Sequence, residues 1–219
     1  MPELKKAIAN RRKREKDRRI QEILRAAKKI FFAKGYSRAT MDEIALEAEI
    51  SKPTIYQYFN TKDDLFFSLM IPFLDDLGDQ IDEIAARLKA GEYPSGADLV
   101  HDVFSLYYGF FEQDTDFFMF FTVFQQIGMI EELNEKTRDS IIEKGRRCFS
   151  AGRDMVGNAI SQGLFQDIDT YNLTDFVWGS FWGIVQLEQV KQRNSEISLN
   201  LKPTLQLVEE AVIRLIVVR

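Results

Sequence analysis

The 219-residue sequence has few of the residues that build disulfides, metal sites and histidine-based catalytic centres. Its single cysteine, Cys148, excludes an internal disulfide and a cysteine-based metal cluster. Its single histidine, His101, excludes a zinc site built on two histidines and disfavours a catalytic relay centred on histidine. The sequence also has no glycine-rich phosphate loop and no recognisable set of nucleophile, base and orienting group. We therefore expect a protein that is not an enzyme and that holds neither a cofactor nor a metal.

Long apolar runs are also missing. The densest run, at 117–124, is far shorter than the roughly 18–20 residues that cross a bilayer. The basic N-terminus leads into no apolar core, so it does not read as a secretory signal. We expect a cytoplasmic protein without a membrane partner.

Charge is distributed unevenly along the chain, although the net charge of −5 is ordinary. Residues 1–34 carry thirteen Lys and Arg against four Asp and Glu, whereas residues 63–219 carry thirteen against twenty-six. The segment 35–62 is almost neutral, with three basic and four acidic residues. A basic head before an acidic body suggests a polyanionic partner for the head.

Apolar residues recur at helical spacing along the whole chain, and no alternating strand pattern of useful length occurs. Four predicted helix starts share a capping side chain followed three residues later by an acid: Thr40, Thr61, Ser95 and Asn172. The pattern predicts an all-α fold of about nine helices. The first ends at Gly35 after a frayed start, and the others cover about 41–48, 52–58, 62–89 with a kink or break at Pro72, 96–112, 115–129, 132–163, 173–193 and 202–217.

Two short predicted helices at 40–59, joined by a tight turn at 49–51, would pack on the first helix as a helix-turn-helix. The third helix turns a polar face outward, which consists of Lys52, Thr54, Tyr56, Gln57 and Tyr58. Ammonium, hydroxyl and amide groups suit phosphates and base edges, and no acid lies between residues 50 and 62. The pattern favours DNA binding, with a small helical bundle carrying a solvated face as the alternative.

Four segments of this region, FFAKGY at 31–36, TMDEIA at 40–45, SKPTIYQYF at 51–59 and KDDLF at 62–66, resemble the N-terminal domain of the TetR family of transcriptional regulators. The resemblance covers residues 18–67. It implies a homodimeric repressor that reads a palindromic operator in double-stranded DNA and responds to a ligand in its C-terminal domain. On this basis we divide the chain into a basic arm at 1–17, a helix-turn-helix domain at 18–62 and a helical effector-binding and dimerisation domain at 63–219.

The resemblance also implies roles for individual residues. Thr40 and Lys62 would bind phosphates, Lys52, Thr54 and Gln57 would face bases, and Tyr56 and Tyr58 would contact phosphate or sugar. Pro53 departs from the small residue that the family usually has there, which suggests an apolar contact. The basic segment adds Arg18 and Arg19 to a flexible cationic arm, for which a solvated charge run is the alternative. The full predicted DNA-binding set is Thr40, Ser51, Lys52, Pro53, Thr54, Tyr56, Gln57, Tyr58, Lys62, Arg18 and Arg19.

The acidic body is rich in aromatic residues between positions 104 and 124. Together with the family resemblance, this predicts a pocket for a hydrophobic or aromatic small-molecule effector, and a large ordinary core is the alternative. The candidate ligand-binding residues are Tyr107, Tyr108, Phe111, Phe117, Phe121, Phe124, Gln125 and Arg147.

The two C-terminal helices are predicted to form a homodimer interface. Gly179 and Gly183 lie four residues apart and give one helix a smooth strip that a second helix can approach closely. Packing inside one chain is the alternative. The candidate interface residues are Phe176, Gly179, Trp182, Gly183, Leu187, Leu205 and Val212.

Three functions remain open at this point. A ligand-controlled repressor leads, a DNA-binding protein without small-molecule control is second, and an enzyme acting on hydrophobic substrates is disfavoured because no catalytic set is present.

Overall fold

The computed structural model describes residues 2–113, 133–193 and 201–218. Within these ranges the chain is α-helical, as predicted, and an antiparallel bridge between Phe165 and Val217 is the only β pairing described. The helices are α1 (Pro2–Lys34), α2 (Met41–Glu47), α3 (Lys52–Ile55), α4 (Lys62–Ser68), α5 (Met70–Lys89), α6 (Gly96–Gln113), α7 (Glu135–Ser161), α8 (Thr170–Arg193) and α9 (Leu201–Ile216). The predicted helix at 115–129 lies outside the described residues. No helix in the described ranges is both long and apolar enough to cross a membrane.

The described residues fall into two compact units, the first made of 2–72 and 133–141 and the second of 73–113, 142–193 and 201–218. The first boundary between the two units falls after residue 72, whereas the predicted boundary falls after residue 62.

The core of the first unit forms where the apolar stripe of α1 meets α2, α3 and α4. Ile23, Ala27 and Phe31 have no exposed surface, and the ring of Phe31 packs edge-on against Phe66 with centroids 5.6 Å apart. Each large side chain buried in this way contributes about 1.5–3 kcal/mol relative to leaving it exposed. The apolar stripe of α1 is therefore the surface against which the short helices pack.

The predicted starts of α2, α4 and α6 are confirmed. Thr40 and Glu43 form a reciprocal capping box, and the hydroxyls of Thr61 and Ser95 accept the backbone N–H groups of Asp64 and Asp98. The predicted cap at Asn172 is wrong, because α8 begins at Thr170 and the Asp169 carboxylate accepts the Asn172 N–H at 2.8 Å. Asp169 is an equally good capping residue that offers its oxygen three positions earlier.

One further prediction is corrected and one is confirmed in the helices that follow. The predicted helix 52–58 is regular only over Lys52–Ile55, and residues 56–58 continue in a turn with shorter-range bonds such as Gln57 N–H to Thr54 carbonyl at 3.1 Å. β-branched and aromatic residues at 54–58 disfavour a longer helix. The predicted break near Pro72 is confirmed: α4 ends at Ser68 and α5 begins at Met70, since proline offers no N–H to the Ser68 carbonyl.

In the second unit, α6, α8 and α9 pack together around Leu99, Phe181 and Val212, which are at most 1% exposed. Gly96 begins α6 directly against the backbone of the segment that follows α7, where a Cβ atom would lie 2.5 Å from the Leu164 carbonyl oxygen. The same Leu164 carbonyl accepts the Val218 N–H at 3.2 Å, so this glycine permits a close approach that also holds the C-terminal residues.

Candidate nucleic-acid interface

The third helix stands on a buried base and presents a polar outer face. Ile55 has no exposed surface and Phe59 is 7% exposed, which anchors the helix to the core. Tyr56 is 41% exposed, and Gln57 is also exposed. Lys52 and Pro53 share the exposed surface, whereas Thr54 and Tyr58 are half-buried. The first unit therefore brings the predicted DNA-binding residues of 52–58 together on one short element.

The start of this element is held by its own hydroxyl groups. The Ser51 Oγ accepts the Thr54 N–H at 3.3 Å and lies 2.7 Å from the Thr54 hydroxyl. The turn before it depends on Glu49, which has a left-handed backbone with φ of 54°. Ser51 and Thr54 thus fix the orientation of the helix, and their hydroxyls take part in the cap.

Lys52 is paired with an acid that the sequence analysis missed. Its Nζ lies 2.8 and 2.9 Å from the two carboxylate oxygens of Asp42 on α2. The Asp42 carboxylate raises the pKa of Lys52 and keeps its ammonium protonated. Both side chains are more than half exposed, so the ion pair is weak. The Lys52 ammonium can therefore exchange Asp42 for a DNA phosphate. Asp42 lies ten residues before Lys52 and on a different helix, so the spacing of residues along one helix does not predict this contact.

Two predicted phosphate ligands, Thr40 and Lys62, are engaged inside the first unit. The Thr40 hydroxyl caps α2. The Lys62 ammonium donates to the carbonyls of Tyr36 and Ala39 at 2.9 and 3.2 Å, and it lies 4.3 Å from the Tyr36 ring centroid. Burial lowers the pKa of Lys62. Lys62 therefore holds the turn between α1 and α2, and its predicted contact with phosphate stays a prediction.

The basic arm is helical, which corrects the expectation of a frayed, flexible segment. Helix α1 runs without interruption from Pro2 to Lys34, since no glycine or further proline interrupts it. Arg18 and Arg19 form ion pairs with Glu22 at 3.6 and 2.7 Å. Both arginines line a shallow groove whose other wall is formed by Gln57 and Tyr58 in the turn after α3.

The second unit contains an apolar cavity that includes part of the predicted ligand set. Its volume is about 70 Å³. Tyr107 lines it, and burial raises the pKa of this phenol. Tyr108 and Phe111 instead lie beside each other with ring centroids 6.4 Å apart, and Arg147 pairs with Asp79 and Asp82. The predicted residues Phe117, Phe121, Phe124 and Gln125 lie outside the described residues. The lining residues that the sequence analysis missed include Val103, Met155, Val156, Phe165, Leu173 and Val177.

The predicted interface residues divide into an exposed and a buried group. Phe176 and Leu187 on α8 are 49% and 52% exposed, and Gly179 and Gly183 between them face open space. Trp182, Leu205 and Val212 are instead 3%, 5% and 1% exposed within the single chain. The second group packs inside the unit, which corrects its assignment to a surface between subunits. Apolar periodicity alone does not distinguish the two apolar faces of such a helix.

Comparison with known proteins finds a family match for the N-terminal part of the chain. Residues 23–69 match the family model described as bacterial regulatory proteins, tetR family. The HTH-type transcriptional activator FasR of Mycolicibacterium smegmatis is 40% identical over 62 residues, which are 28% of this chain and 28% of that protein. The chain thus aligns with less than a third of this curated relative.

Two solved structures share the fold over most of the chain. SmeT, the repressor of the Stenotrophomonas maltophilia multidrug efflux pump SmeDEF, has a TM-score of 0.67 at 15% identity, with 91% of this chain and 90% of that chain covered. The transcriptional regulator FadR from Bacillus subtilis, in complex with stearoyl-CoA, has a TM-score of 0.60 at 19% identity, with 89% and 95% covered.

Proposed function

The N-terminal domain of this chain belongs to the TetR family, and from that premise we propose that the protein is a ligand-responsive homodimeric regulator of transcription. It binds double-stranded DNA through the exposed face of residues 52–58. The observation that carries the proposal is that face itself: a short, firmly anchored segment that presents an amide, a phenol and an ammonium group and has no acid of its own within residues 52–58. Such groups pair with base edges and phosphates in a major groove. The protein would act in the cytoplasm.

The operator is palindromic in this proposal because two identical subunits read it. The exposed strip of Phe176, Gly179, Gly183 and Leu187 supports an interface between two copies. Its glycines leave room for a second helix, and its apolar ends gain from burial. A two-fold dimer places two reading helices one or more helical turns apart on DNA.

The effector is a hydrophobic or aromatic small molecule. Among the described residues, the lining of the cavity in the second unit is almost wholly aliphatic and aromatic, and Tyr107 and Thr174 are the only ones that bring a hydroxyl group. The Thr174 hydroxyl already donates to the Thr170 carbonyl at 2.7 Å. A charged group placed there would lose its hydration without a partner, so the cavity suits an uncharged part of a ligand. FadR, a structural neighbour, was solved with stearoyl-CoA.

One observation favours a second candidate, a DNA-binding regulator without small-molecule control. A cavity of about 70 Å³ is far below the roughly 300–1,000 Å³ of typical ligand sites. In the leading proposal the effector enlarges this cavity as it binds and so moves the helices that line it. In the second candidate the cavity is a packing defect.

Repression is the expected sign of regulation, because a dimer that occupies a promoter blocks polymerase by occupancy alone. The test selects DNA from a random duplex library with the purified full chain and then screens small apolar compounds for release of the selected DNA. An enriched inverted repeat that an apolar compound releases supports the leading proposal. An enriched repeat that no compound releases favours the second candidate, and no enrichment contradicts both.

A further inference from the structure

The first half of α1, over residues 6–18, contributes no buried side chain to the core of the first unit. From Lys6 to Arg18 every side chain is exposed, and Ile8, an apolar residue, is 45% exposed. Thirty-three residues at about 1.5 Å each make a rod roughly 50 Å long, of which only the later part is packed. The packed part of α1 therefore sets the direction in which this exposed part runs.

The charges on this rod are arranged by face. Arg12, Lys16 and Arg19 are spaced by four and three residues, so they lie along one side of the helix. This side faces the groove whose other wall is Gln57 and Tyr58. The helical part of the groove carries four basic residues and one acid, Arg12, Glu15, Lys16, Arg18 and Arg19. The groove thus joins a net positive helix face to two residues of the proposed reading element.

Phosphate is the chemistry that fits this groove. Arginine guanidinium and lysine ammonium groups pair with phosphate oxygens, and double-stranded DNA carries one such negative charge about every 1.7 Å of its axis. Like charges at positions i and i+4, such as Arg12 and Lys16, also repel each other in the free helix, and neutralisation by phosphate removes that repulsion. DNA binding therefore stabilises the helical form of the rod.

We propose that Arg12 and Lys16 form a helical phosphate-binding face that extends the DNA contact of Gln57 and Tyr58 along the backbone beyond the base-reading site. The inference rests on the proposed DNA-binding function and deepens it. It differs from a flexible cationic arm in one measurable respect. Loss of charge from the groove face of the helix weakens DNA binding, and loss of the same charge from another face does not.

The experiment compares two double variants of the full chain that lose the same charge. R12Q/K16Q removes the groove face, and K13Q/R14Q removes one Lys and one Arg from the same level of the helix outside the groove. All four side chains are exposed, so neither variant should disturb folding. Affinity for the selected duplex is measured by fluorescence anisotropy across a series of salt concentrations.

We expect R12Q/K16Q to weaken binding about tenfold or more and to reduce the slope of log affinity against log salt by about 0.9 for each lost contact. We expect K13Q/R14Q to change both quantities much less. Equal effects of the two variants, or no effect of either, would overturn the proposal.

A second readout and a separate variant keep the inference distinct from the proposed function. Thermal unfolding followed by circular dichroism should show that the duplex raises the melting temperature of the wild type more than that of R12Q/K16Q. Gln57→Ala should lower affinity for the selected duplex relative to a scrambled one without changing the salt slope. If Gln57→Ala behaves so and the two double variants do not differ, the helical face is refuted and the reading helix stands. If the wild type binds no DNA, both fall.

Discussion

Replacing Gly96 by alanine should destabilise the second unit, although alanine is the better helix former. A Cβ atom at this position would lie 2.5 Å from the Leu164 carbonyl oxygen and 3.1 Å from two ring atoms of Phe165. Optimal contact between non-bonded heavy atoms is at about 3.5 Å or more. The closest obstacle is backbone, which cannot rotate away as a side chain would. The Leu164 carbonyl also accepts the Val218 N–H, so its displacement weakens the link to the C-terminal residues.

The magnitude follows from two opposed contributions. Overpacking of a well-packed site costs about 1–3 kcal/mol. Alanine recovers up to about 1 kcal/mol of helix propensity, and less at the first residue of a helix. We expect a net loss of about 1–2 kcal/mol in the free energy of unfolding. For a chain of this size that lowers the melting temperature by roughly 2–8 °C.

Thermal unfolding followed by circular dichroism measures this effect, with Gly109→Ala as the matched control in the same helix. A Cβ atom at Gly109 meets nothing within 4 Å, so this variant should gain about 0.5–1 kcal/mol. An unchanged or raised melting temperature for Gly96→Ala would refute the reasoning. Equal losses for both variants would also refute it, because the two sites would then not differ in packing.

Three further predictions concern other parts of the molecule. Glu49→Gly should raise the melting temperature, because glycine relieves a left-handed backbone that costs other residues about 1–2 kcal/mol; a lowered value would contradict this. Gly183→Arg should yield a folded monomer in native mass spectrometry, since its side chain enters open space in one chain and obstructs the proposed interface; an intact dimer would reject that interface. Burial raises the pKa of the Cys148 thiol to about 11, so alkylation at pH 8 should be far slower in folded than in unfolded protein, and equal rates would contradict the burial.

Features that depend on near neighbours in the chain could be predicted from the sequence. The caps at Thr40, Thr61 and Ser95 need only an oxygen and a backbone N–H three residues later. The break before Pro72 follows from one missing donor. Where two caps compete locally, as Asp169 and Asn172 do, the spacing does not decide between them.

Features that depend on contacts between distant segments could not be predicted. The pairing of Lys52 with Asp42 crosses from one helix to another, and Arg147 meets Asp79 and Asp82 on a helix more than sixty residues earlier. Trp182 is apolar and helical like Phe176 and Leu187, yet the packing of the second unit leaves it only 3% exposed while they are about half exposed.

The site follows the same division. The exposed polar face at 52–58 could be predicted because its period is local. The groove between Arg12 and Gln57 could not, because it depends on the direction in which α1 leaves the core.

Competition between two duplexes measures whether residues 52–58 read a DNA sequence. The purified full chain is titrated at one fixed salt concentration with its selected duplex and with a scrambled duplex of equal length and composition. We expect a preference of about a thousandfold or more for the selected duplex, and Gln57→Ala should lower affinity for that duplex alone. Equal affinity of the wild type for the two duplexes would contradict it.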